Sequence, residues 1–202
     1  MNNLIKITLL TFGFTLGAWT HAQNTVIPDE IKPFVEPNTQ LLTYKAVDLN
    51  GDKRQDAIIV LEKPSNSNAD PFTEYPRTLI VLQRNSKGRL VVSARNNKIV
   101  QCRRCGGSQD PFVPDDAFNF GNKWFSITQE SYGGTITNST YTFQLHKDNR
   151  WYLKKFENNR TVNTKQGIDV VKKERRYPKD FSKITFARFN PVTFARRYQL
   201  NK

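Results

Sequence analysis

Eight short apolar runs, none longer than eight residues, limit what this chain can fold into. "LLTYKAV", "AIIVLE", "TLIVLQR" and "RLVVSAR" form a first group; "AFNF", "WFSITQES", "STYTFQLH" and "WYLKKFE" form a second. The gaps include turn chemistry: Asn85-Ser86-Lys87-Gly88, with a glycine that accepts positive φ, then Gly121-Asn122-Lys123 and Lys147-Asp148-Asn149-Arg150. No ten-residue stretch with a helical apolar period stands between the runs, which argues against a parallel sheet built from strand–helix–strand units. The expectation is a mainly β domain of two four-stranded antiparallel meanders, forming a β-sandwich or a partial propeller-like domain, with short helical pieces. Alternation places Tyr141, Phe143 and Leu145 inward and Thr142 and Gln144 outward. A helical turn is expected from Asp29, and a late strand in "DFSKITFARF". The polar, basic stretch 157–179 reads as a loop or a short helix around Ile168 to Lys173, and "KPSNSNADPFTEYPR" as a long loop off the first sheet.

Residues 1–22 read as a secretory leader. Lys6 precedes an apolar segment from Ile7 to Trp19, and Thr20-His21-Ala22 puts small residues at the two positions a signal peptidase reads. That segment is too short for a hydrocarbon core of about 30 Å, which takes roughly 20 residues. No cysteine stands near the cleavage point to carry a lipid. A mature chain from Gln23 to Lys202 is expected, exported to the periplasm or the medium. It is long enough for one domain that buries roughly 70% of its unfolded surface.

The stretch "AVDLNGDKRQDAIIVLE" sets oxygen ligands close together. Asp48, Asn50, Asp52 and Asp56 supply side-chain oxygens and Arg54 its carbonyl, a set suited to Ca²⁺, which takes six to eight oxygens at about 2.3–2.6 Å. An EF-hand is excluded, because Lys53 and Ile59 stand where that loop needs glycine and glutamate. The pattern D-x-N-G-D-x-x-x-D before an apolar strand resembles the calcium loop of FG-GAP and VCBS-type repeats, which lies inside a β-hairpin. The resemblance implies a structural Ca²⁺. A polar turn capped by its own side chains is the alternative.

A wider resemblance runs through "IPDEIKPFV", "DLNGDKRQDAIIVLE", "ARNNKIVQCRRCGGSQDPF", "SYGGTITNSTYTFQL", "WYLKKFE" and "DFSKITFARF". Together they look like a family of exported bacterial proteins of unknown function, with a DLNxDxxxD loop, CxxCGG followed by DPF, then YGG and a W-x-L strand. That resemblance implies no activity.

Cys102 and Cys105 are the only cysteines. In an exported chain a local disulfide is the expectation, since zinc would need further ligands and a thioredoxin-like site would open a helix. Arg103 and Arg104, which would lower a thiol pKa, leave redox work as the other reading. Outside the leader His146 is the sole histidine, and nothing near it reads as a nucleophile elbow. Asp110 and Glu130 are the carboxylates open to hydrolytic chemistry.

Charge is uneven: residues 151–202 hold 14 of the 31 Lys and Arg but only 4 of the 18 acids. In this basic C-terminal segment (157–202), Lys172, Lys173, Arg175, Arg176, Arg196 and Arg197 are the expected anion-binding residues, suited to phosphate-bearing envelope material. Nucleic acid is not expected outside the cell. The reading is an exported, non-enzymatic binding or interaction domain of the envelope. The alternatives are a periplasmic inhibitor or immunity protein against a protein toxin, and an envelope-polymer hydrolase using Asp or Glu.

Overall fold

The structure, a computed structural model, describes residues 27–64, 75–132 and 135–198. The expected leader (1–22), the middle of the expected long loop (65–74) and the glycines at 133 and 134 lie outside them.

Two antiparallel sheets follow one another along the chain. The first orders β1 (Gln40–Val47), β2 (Asp56–Glu62), β3 (Thr78–Arg84) and β4 (Leu90–Asn96) as a meander. The second adds β5 (Phe118–Gly121), β6 (Trp124–Tyr132), β7 (Ile136–Leu145), β8 (Trp151–Thr164) and β9 (Gly167–Arg176) in the same sequential order. All eight apolar runs form strands. Gly88 has the positive φ expected of it, at 76°.

One core joins the two sheets. Ile58, Val60, Leu79 and Val81 from the first cluster with Phe125, Ile127, Tyr141, Phe143, Leu153 and Phe156 from the second, as a sandwich requires. Tyr141, Phe143 and Leu145 are buried, whereas Thr142 and Gln144 are only half-buried. The other face of the first sheet is covered too. Ala57, Ile59, Leu61, Ile80 and Leu82 form a second cluster with Ile31, beneath the lead segment and its 3₁₀ turn at Lys32–Phe34. Burial on both faces explains why "AIIVL" is continuously apolar rather than alternating.

Two expectations are overturned. The stretch 157–179 is neither loop nor helix: β8 runs on to Thr164 and turns back at Gly167 into β9, a fifth strand of the second sheet. Its alternation of Ile168 and Val170 with polar residues is a strand signal diluted by charge. "DFSKITFARF" is not a strand. Thr185 makes a single bridge to Tyr152, and Phe186–Arg188 is a 3₁₀ turn. Its phenylalanines do not alternate, because Phe181, Phe186 and Phe189 all enter the core. Helix α1 (Pro191–Arg197) follows, capped by Asn190, whose side-chain oxygen accepts the Val192 and Thr193 N–H groups. Phe186 meets Phe143 at 5.0 Å between centroids, Phe189 meets Tyr141 at 5.1 Å, and Phe194 meets Phe156 at 5.6 Å.

Candidate functional site

The second sheet turns one face to the core, and its opposite face holds an open groove of about 640 Å³. Strand alternation dictates what lies there. One row crosses all five strands: Asn119 beside Ser126, Ser126 beside Thr142, Thr142 beside Lys155, and Lys155 beside Arg176. Two residues along each strand, Thr128, Thr140, Glu157 and Glu174 form the next. The Thr128 and Thr140 hydroxyls are 2.9 Å apart and hydrogen-bonded.

Aromatic rings border these rows. Trp124 lies against Gly121, where a Cβ would stand 2.2 Å from the indole Nε1, so only glycine allows this seat. Tyr177 is set by an irregularity. The register of β7 with β8 shifts between Thr142 and Phe143, leaving Lys154 as an extra residue whose carbonyl accepts the Tyr177 N–H at 3.0 Å. The same bulge brings Lys154 and Lys155 together to the groove wall. The sequence carried a signal for this face, namely a tryptophan followed by outward Ser and Thr on two neighbouring strands, but none for the bulge.

Among the described residues lining the groove Glu157 is the one carboxylate, with Glu174 beside it on β9. Glu157 accepts from Lys155 Nζ at 2.7 Å and Lys172 Nζ at 3.2 Å. Burial pushes its pKa up, yet the two ammonium groups more than reverse that and hold it below the ordinary glutamate value. Glu157 therefore stays ionised and pinned.

The acidic loop is self-capped. Asp48 accepts the N–H groups of Asn50, Gly51 and Lys53. Asp52 accepts from the Arg54 side chain at 2.6 Å and 3.1 Å, which lowers its carboxyl to about 2. Asp56 is buried, accepting from Leu49 N–H at 3.1 Å and Arg84 N–H at 2.7 Å; burial pushes its pKa up despite these bonds. Among the described residues no three His, Cys, Asp or Glu side chains are gathered to hold a metal ion. The donors fit Ca²⁺ in kind and order, but Arg54 now occupies the place of a cation at Asp52. The loop also reaches the second sheet, since a Cβ on Gly51 would stand 2.8 Å from Asn122 Oδ1.

Cys102 and Cys105 are joined as a disulfide. Their loop lies along β6: Tyr132 N–H donates to the Gly106 carbonyl and Glu130 N–H to the Pro111 carbonyl. Beside it is a charge cluster the sequence reading missed. Arg77, 1% exposed, donates to both Asp110 oxygens at 2.7 and 2.6 Å, to Glu62 at 2.8 and 3.0 Å, and to the Gln101 carbonyl. Asp110 is thereby committed to structure. Glu130 accepts from the Tyr132 hydroxyl, and the His146 ring meets Tyr152 edge-on at 4.8 Å.

The six expected anion-binding residues do not form one patch. Alternation along β9 sends Lys172 and Arg176 to the open face, where Glu157 and Glu174 pair with them, and Lys173 and Arg175 to the opposite face. Arg196 and Arg197 stand in the last turn of α1. The chain matches no family model, no curated protein and no solved structure in the comparisons made.

Proposed function

We propose that this chain is an exported, non-enzymatic binding protein of the bacterial envelope that holds a polyhydroxylated polymer, an envelope glycan, along the open face of its second sheet. The observation that carries the reading is the row of amide, hydroxyl and amino groups crossing five strands, bordered by Trp124 and Tyr177. Sugar hydroxyls both donate and accept, as Asn, Ser and Thr do, and sugar C–H faces stack on aromatic rings. Pinned ionisation of Glu157 weighs against hydrolysis, which needs a carboxylic acid with a raised pKa and a second carboxylate across the bond. Export rests on the leader at residues 1–22.

The acidic loop takes the part of a structural calcium clip. Asp48, Asn50, Asp52, Asp56 and the Arg54 carbonyl would hold the ion, which would take over from the Arg54 side chain as the counter-charge of Asp52. The ion supplies neutralisation of clustered carboxylates and no reaction step.

Titration of the mature protein with soluble cell-wall glycan fragments tests the groove. Binding should change Trp124 fluorescence, since the other described tryptophan, Trp151, is buried. Trp124→Ala should lose about 2 kcal/mol or more, roughly 30-fold in Kd. Equal binding by the variant, or no binding at all, would remove the proposal; shortened glycan products would replace it with the hydrolase.

A further inference from the structure

The tip of the β8–β9 hairpin stands clear of its sheet. Pairing of β7 with β8 ends at Arg160, whereas Thr161–Thr164 pair only with Gly167–Val170. Four residue pairs at about 3.3 Å each give an arm of roughly 13 Å. Its aliphatic side chains face outward: Ile168 is 73% exposed, Val170 64% and Val171 38%. Such residues in a strand are ordinarily the buried ones.

Alternation fixes which way they point. Lys172 reaches Glu157 on the open face of the sheet, so Val170 and Ile168, two and four residues before it, share that face. Ile136, 47% exposed, stands four residues before Thr140, whose hydroxyl meets Thr128 on the same face. Ile136, Val170 and Ile168 therefore share the open face at the end of the sheet, the first separated from the other two by β8. The hairpin is net cationic. From Arg160 to Lys173 it carries Lys165 at its turn, Lys172 on the face of these side chains, and Arg160 and Lys173 on the opposite face, against the single acid Asp169.

We propose that this arm docks the protein on an anionic lipid surface, its aliphatic side chains entering the interface while the lysines and arginine carried on its turn and on both its faces meet phosphate headgroups. Charge decides among occupants. A second copy seated on the arm would bring one net-cationic hairpin against another, whereas an anionic bilayer complements it. Shape agrees: the length of this two-stranded arm covers the 5–10 Å or so over which apolar groups enter a headgroup layer. Neither signal suffices alone, and together they make a two-part anchor.

Co-sedimentation of the mature protein with vesicles of phosphatidylglycerol mixed with phosphatidylcholine tests this. Binding should be clear at low salt, weaken as salt rises, and be absent with phosphatidylcholine alone. Ile168→Ser/Val170→Ser and, separately, Lys165→Gln/Lys172→Gln should each weaken it about tenfold or more, with the melting temperature of the aliphatic variant unchanged. Trp124→Ala should sediment like the wild type, which keeps this result separate from the fate of the groove. Failure to sediment with the anionic vesicles, equal sedimentation by the aliphatic variant, loss in Trp124→Ala, or a solution dimer abolished by Ile168→Ser/Val170→Ser would each overturn the proposal.

Discussion

Arg77 shows how much of this molecule rests on one side chain. Its five donors are spent on Glu62, Asp110 and the Gln101 carbonyl, tying the end of β2 to the disulfide loop. Removing one member of such a buried group strands the others, at a cost of about 3–5 kcal/mol. We predict that Arg77→Met lowers the melting temperature by on the order of 10 °C. Arg77→Lys should recover little, because an ammonium cannot reproduce the planar fork. Thermal unfolding checks both, and a drop within a degree or two would mean that the carboxylates find water instead. No local pattern in the sequence pointed to this cluster, because its acids lie 15 and 33 residues away from Arg77 in the chain. The Cys102–Cys105 pair was legible for the opposite reason, its partners being three residues apart.

At the scale of elements, β7, β8 and β9 meet at Glu157, where Lys155 and Lys172 clamp the carboxylate. A folded-state pKa below the ordinary 4.5 means the native protein binds this proton less readily than the unfolded chain. The clamp's contribution is thus fully present above about pH 4.5 and is lost as pH falls through the lower folded value. Thermal scans from neutral to acid pH should show part of the loss of stability vanish in Glu157→Gln. Identical slopes for the two proteins would show the clamp to be inert. The strands before Glu157 were readable because apolar residues alternate or run together over turn-bounded segments. β9 was not, since Lys172, Lys173, Arg175 and Arg176 swamp its aliphatic period, and "DFSKITFARF" misled because aromatic residues satisfied by the core need no ladder. The groove's outward Ser and Thr were visible as alternation, but their alignment across five strands depends on register, which only pairing reveals.

At the scale of the molecule, the acidic loop spans the join between the sheets, with Asp56 opening β2 and Gly51 seated against Asn122. A Ca²⁺ in this loop should therefore stabilise the whole cooperative unit. With a Kd of about 0.1 mM, about 1 mM Ca²⁺ adds roughly 1.4 kcal/mol, or about 3–6 °C in melting temperature. Asp52→Ala should abolish the increment. Superimposable melting curves in Ca²⁺ and in EGTA would leave the loop as a turn closed by Arg54.

The order in which the core is completed has its own consequence. Phe181, Phe186, Phe189 and Phe194 fill the space between sheets whose strands all precede them. Burying four such rings contributes about 1.5–3 kcal/mol each, a sum comparable to the roughly 5–15 kcal/mol that holds a domain together. A chain synthesised from its N-terminus has both meanders before it has this plug. The plug therefore acts as a timer on folding: until residues 181–194 have been added, the two sheets lack the rings that fill the space between them, and the polypeptide stays short of its native stability.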